Sequence, residues 1–194
     1  MKTLTALCFL ALIGCKNDPP APAAAPPDRI EVLARHRSIA SQDDIASDPV
    51  VVRFEKFAVT KASFDPKNLE GGTATITLDP TSIKTGSRER DTDLQAPEWL
   101  DAGKFATITI DVANVKKQAD TKYTADATVG SHGLTKTYPV TFEVVGTTAN
   151  SVSIKGEQPF SRLDFAIGVD PAMDPTERVD TALTIQWTLT LKKT

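Results

Sequence analysis

Every second residue is apolar across positions 182–191. Leu183, Ile185, Trp187, Leu189 and Leu191 fall on one face, and Ala182, Thr184, Gln186, Thr188 and Thr190 on the other. A strand places successive side chains on opposite faces, whereas a helix would scatter these five around its axis. The segment is therefore a half-buried strand. The same period returns at 73–79 (Ala74, Ile76, Leu78), 106–112 (Ala106, Ile108, Ile110, Val112), 123–129 (Tyr123, Ala125, Ala127, Val129) and 134–145 (Tyr138, Val140, Phe142, Val144). Val50, Val52 and Phe54 begin another strand, Ile30 and Val32 an earlier one, and Val152 and Ile154 a later one. The pattern predicts about eight strands, antiparallel because their links are too short for helical crossovers. One helix is expected over 94–102, with Asp93 as cap, Pro97 in the first turn and Gly103 at the end.

Threonine supplies 25 of the 194 residues. Its branched Cβ suits a pleated surface and its hydroxyl tolerates water, so it fills the outward face of such strands. Apolar residues make up 40% and charged residues 24%, which excludes a disordered chain, a collagen-like repeat and a multi-span membrane protein. A net charge of −3 lacks the basic footprint of a nucleic-acid binder. The fold class is all-β. Alternation does not separate a sandwich from a barrel, since both bury one face. The inward set mixes bulky residues with Ala62, Ala106, Ala125 and Ala127. In a closed barrel these either leave room for a ligand or are packed out by facing Phe, Trp and Leu side chains.

The N-terminus reads as an address. Residues 1–14 hold one cation, Lys2, and then an apolar run, far short of the roughly 20 residues that span a bilayer. Leu12, Ile13 and Gly14 ahead of Cys15 look like a bacterial lipobox, where a peptidase cuts before a cysteine that carries diacylglycerol. Residues 1–14 are thus expected to be a signal peptide and Cys15 the lipid attachment. Positions 15–28 form a tether holding five of the 13 prolines, and 29–194 the folded domain. Cys8 leaves with the leader, so the mature domain has no free thiol and relies on core burial. Lys16 stands where aspartate would mark inner-membrane retention. The expected location is the outer membrane, anchored through the acyl chains and facing the periplasm.

Chemistry-bearing constellations are sparse. His36 and His132 are the only histidines and have no thiol partner, so no His/Cys zinc set can form, and neither fits a nucleophile or HExxH motif. Positions 87–93 pack five charges into a segment read as a solvated loop or as a polar rim for a ligand head. Asp170, Asp174, Glu177 and Asp180 crowd one loop, but their order does not fit a calcium-binding EF-hand. No catalytic residue, metal or cofactor is expected.

Five motifs in order carry a family resemblance. Ser82-Ile83-Lys84-Thr85-Gly86 leads into Arg90-Asp91 and Leu94, then Leu100-Asp101 and Lys104-Phe105. His132-Gly133-Leu134-Thr135-Lys136 follows, then the run from Phe160 to Gly168, while Ala62-Ser63-Phe64-Asp65 precedes them all. Over about residues 30–191 the chain resembles the YceI-like family of bacterial exported proteins. It departs from the family pattern at Asp93, where a histidine is usual, and at Ala106, where a proline is usual. The opening Asp-x-x-His-Ser is echoed by Arg35-His36-Arg37-Ser38.

The resemblance implies an eight-stranded, lipocalin-like antiparallel barrel with a helix near one end and an apolar lumen for a polyisoprenoid or similar long-chain lipid. Phe54, Ile76, Leu78, Ile108, Ile110, Val140, Phe142, Ile185 and Trp187 are then expected to line the lumen, with the ligand's head at the mouth near Arg90 or Arg162. Three function classes stay open: a lipid carrier, a stress-response or interaction lipoprotein with a self-filled barrel, and an enzyme acting through Arg90, Asp91 or Asp164 on a bound lipid.

Overall fold

Ten strands form one antiparallel sheet in the computed structural model, which describes residues 27–36 and 48–193. The segment expected to be a signal peptide, Cys15 and most of the expected tether lie outside the described residues. The strands are β1 (Arg29–His36), β2 (Val50–Phe54), β3 (Phe57–Asp65), β4 (Asn68–Leu78) and β5 (Ile83–Lys84). After a helix come β6 (Ile108–Lys117), β7 (Lys122–Ser131), β8 (Leu134–Thr147), β9 (Ser151–Ser161) and β10 (Val179–Lys192).

Hydrogen-bonded neighbours run β3-β4-β6-β7-β8-β9-β10-β1-β2-β5. The two outermost strands of this order belong to one bent hairpin. β2 passes into β3 across Glu55 and Lys56, and β4 passes into β5 through a 3₁₀ turn at Pro80–Ser82. At one end the hairpin pairs with β1 through β2; at the other it pairs with β6 through β4. It thereby curls the sheet into a barrel. Its bend is held by Glu55 N donating to Ser82 O (3.2 Å), Asp79 N to Lys56 O (3.0 Å) and Lys56 N to Ser82 Oγ (2.9 Å). The eight passes expected from the alternation are present, and two of them are broken at this bend, which makes ten strands.

β3 is hidden from the alternation by a register shift between Val59 and Lys61. Phe57 and Val59 face the core before the shift, and Ala62 and Phe64 after it. A bulge of this kind moves the inward set by one residue and breaks the period. The turn between β7 and β8 carries positive φ at both His132 (52°) and Gly133 (78°), as a two-residue type I′ hairpin requires. Ala106, expected on the inner face, is instead exposed and precedes β6.

The helix is displaced from its expected place. It is α1, Arg88–Asp93, capped by Ser87 Oγ, which accepts from Arg90 N (3.4 Å). Asp93 closes this helix rather than opening one at 94–102. Pro97 restricts the residue before it and has no N–H to donate, so the chain leaves the helix and continues in turns. Trp99 N bonds Ala96 O (3.0 Å), and Asp101 N shares that carbonyl (2.9 Å). The charged run, read as a solvated loop or as a polar rim, is thus mostly helix.

Candidate functional site

The inward faces enclose one apolar cavity of about 540 Å³. The five alternating residues of β10, from Leu183 to Leu191, all line it. All nine residues expected on the lumen wall face this cavity. Phe54, Ile76, Leu78, Val140 and Phe142 are buried within it. Ile108, Ile110, Ile185 and Trp187 are half-buried. Because their strands point them inward, their remaining accessible surface belongs to the cavity. The barrel is therefore not packed out by its own side chains.

The two ends of the cavity differ. At the end where β1 starts and β10 stops, Phe64, Leu69, Val115 and Leu191 line it, each under 9% exposed. Tyr123 and Phe142 stack beside this floor with ring centroids 5.6 Å apart. At the other end the lining changes to Ser87, Glu89, Arg90 and Asp93 of α1 and its cap, with His36, Trp99 and Leu100. Glu89 and Asp93 are exposed, so this end is the mouth.

α1 is fixed over the mouth by Asp91. Its Oδ1 accepts from Thr85 N (2.7 Å) and Thr85 Oγ1 (2.8 Å), and Lys84 Nζ lies 3.5 Å from Oδ2. The Thr85 hydroxyl, with its backbone N–H and Lys84 behind it, holds the Asp91 carboxyl below its ordinary range. Arg90, the next residue back, faces the cavity, and its guanidinium makes no hydrogen bond or ion pair among the described residues.

Arg162, the second arginine expected to meet a ligand head, also lines the cavity at its mouth end, with its donors turned into the protein backbone. It is wholly buried and bonds the backbone of the loop between β9 and β10 and of the first two residues of β10. Nε donates to Asp180 O (3.1 Å), Nη1 to Ile167 O (2.7 Å), and Nη2 to Val169 O (2.7 Å) and Val179 O (2.9 Å). Glu177 lies 3.9 Å away, and the guanidinium sits 5.5 Å from the Trp99 ring centroid. Gly168, at φ 66°, passes so close that a Cβ there would stand 2.6 Å from Arg162 Nη1. Arg162 is thus the internal clamp of the mouth's side wall. Its buried, donor-rich role has no signature in the sequence, which places it only at the mouth beside a ligand's head.

A 3₁₀ turn, Arg162–Phe165, completes that wall. Asp164 accepts from Lys136 Nζ (3.0 Å) and Tyr138 Oη (2.8 Å), which hold its carboxyl below its ordinary range. Burial, together with the Asp164 charge, raises the Tyr138 phenol and keeps it a donor. His132 Nδ1 meets Phe165 O at 3.0 Å, and its ring packs edge-on against Phe105. Asp170, Asp174 and Glu177 each accept a backbone N–H two residues ahead, so they shape turns in the loop. Among the described residues no group of three or more His, Cys, Asp and Glu is placed to hold a metal ion.

A family model described as a YceI-like domain matches residues 31–191. The chain belongs to the YceI-like family. Among its relatives is a UPF0312 protein of Vibrio campbellii, 29% identical over 128 residues, which are 64% of this chain and 67% of the relative. BcnA of Burkholderia cenocepacia has a similar solved fold, with TM-score 0.69, 21% identity, and coverage of 84% of this chain and 96% of that one. A polyisoprenoid binding domain from Saccharophagus degradans superposes with TM-score 0.66 at 11% identity, covering 86% and 94%. The YceI-like domain here has the same lipocalin-like architecture, and its bent hairpin and mouth helix sit within the matched region.

Proposed function

We propose that this YceI-like chain is an exported envelope lipoprotein whose barrel binds a long apolar lipid of the isoprenoid type, without catalysing a reaction. The observation that carries the reading is the cavity: about 540 Å³, walled by aliphatic and aromatic side chains, floored at one end and open at the other. That volume lies within the roughly 300–1,000 Å³ of small-molecule sites. The similar domain from Saccharophagus degradans is described as polyisoprenoid binding, which supports the ligand class.

A prenyl chain is held by removal of its surface from water, at about 25 cal/mol per Å² before the cost of ordering it. A polar head stays at the mouth, where Arg90, whose guanidinium has no partner among the described residues, can meet an anionic group. Cys15 and the tether keep the domain at the outer membrane, facing the periplasm.

Titration of the soluble domain with a long-chain prenol tests the binding. Its two tryptophans report on the wall (Trp187) and the mouth (Trp99). The expected result is a saturable one-site change in emission that Trp187→Phe reduces to the part reported by Trp99; an unresponsive spectrum contradicts it. Cys15→Ser in the full chain is expected to release the protein from the membrane fraction, and retention there contradicts the anchor.

A further inference from the structure

Both ends of the folded chain leave the barrel at its floor. Asp28 Oδ1 accepts from Thr190 N (2.7 Å), which pins the entry to β1 beside the end of β10. Lys193 N reaches Asn150 O (3.0 Å) in the turn between β8 and β9, at the same end. The tether that begins at Cys15 is therefore strung from the floor, and the mouth opens at the opposite pole.

The mouth end also carries the exposed apolar surface. Among the described residues the large exposed apolar side chains are Val51, Leu134, Val145, Val169 and Met173. Val51 and Leu134 lie at the mouth-side starts of β2 and β8, and Val169 (47% exposed) and Met173 (83%) lie on the loop that Arg162 clamps. Only Val145 is toward the floor. Apolar side chains of this kind, one of them a flexible methionine, settle into the boundary between headgroups and acyl chains of a bilayer.

We propose that the mouth exchanges lipid with a bilayer other than the one that holds Cys15. The inference rests on the binding and lipoprotein readings above. Length arithmetic supports it. The 14 residues of β10 span about 46 Å along the strand and, at a barrel tilt near 40°, about 35 Å along the axis. Residues 16–27, in a polyproline-like run at about 3.1 Å each, reach about 37 Å. To turn its mouth back onto its own membrane, the domain would have to spend nearly the whole tether running alongside the barrel. Facing away requires none of it.

The test uses the lipidated full chain, its barrel preloaded with a fluorescent prenol, in phosphatidylethanolamine–phosphatidylglycerol vesicles that carry a quencher and no free prenol, mixed with empty acceptor vesicles. Two variants decide: the pair Val169→Asp with Met173→Asp, and a tether lacking residues 19–26. The double variant is expected to slow transfer to acceptors about tenfold or more while prenol retention by its soluble domain is unchanged. The shortened tether is expected to transfer at the parent rate. Parent-like transfer by the double variant overturns the proposal, as does loss of transfer on shortening the tether. A parent soluble domain that retains no prenol overturns the binding reading, and this proposal with it.

Discussion

The indole of Trp187 on β10 lies over Gly156, its direct partner on β9. A Cβ on residue 156 would stand 2.8 Å from the indole Cε2 and 2.8 Å from the Thr141 carbonyl oxygen. The missing side chain lets the ring rest against the wall instead of standing in the lumen. A glycine inside a strand often marks such a close approach.

Gly156→Ala is therefore expected to push the indole inward and shift β8, at a cost of about 1–3 kcal/mol from overpacking. Denaturant unfolding reads the cost. The displaced ring should also change Trp187 emission and weaken prenol binding; an unaltered titration would mean that the ring has other room.

Arg162 holds four backbone carbonyls in a site with no exposure. Arg162→Ala removes the donors and leaves those carbonyls inside, so a loss of about 3–5 kcal/mol is expected. Hydrogen exchange should rise first in the loop between β9 and β10, ahead of the barrel strands. Uniform exchange across the sheet would contradict its role as a local clamp.

Two carboxylates at the mouth contribute to acid stability, along with Asp79 and Asp174, which are also held below their ordinary range by their hydrogen bonds to Thr81 and Thr176. Asp91 and Asp164 have folded pKa values held below the ordinary 3.8 by their hydrogen bonds. Groups depressed in this way contribute stability above the unfolded value and lose it as pH falls through that value toward the folded one. Thermal midpoints should stay level down to about pH 5 and decline below about pH 4. Asp91→Asn and Asp164→Asn should melt lower at neutral pH and show a shallower acid decline, which differential scanning calorimetry across pH resolves.

A charge in the lumen should expel the ligand. Ile110 is half-buried and faces the cavity, so Ile110→Asp keeps a route to water while spoiling the apolar wall. Retention of a prenol is expected to fall by about 100-fold or more, with the far-ultraviolet spectrum unchanged. Phe142→Asp should do the same, but Phe142 stacks on Tyr123, so it also costs stability. Retention by a folded Ile110→Asp domain would move the site elsewhere.

Much of this architecture was legible as periodicity. The wall residues Ile76, Ile110, Val140 and Ile185 could be assigned because alternation names the face of every regular strand. The bulged β3 and the two-residue β5 were not legible: one changes phase in mid-strand and the other is too short to show a phase. The helix position is not legible because a proline such as Pro97 is equally compatible with a first turn and with a stop, and here it follows a helix that Ser87 has already capped. Arg162 and Gly156 owe their roles to partners on other strands or loops, and no local pattern records those partners.

The most direct test of the account is native mass spectrometry of the domain from residue 29, purified without detergent from its own host and followed by lipid extraction. The account predicts a stoichiometric adduct whose extracted lipid gives a prenyl mass series. A bare protein mass that stays bare after incubation with prenyl lipids would contradict it.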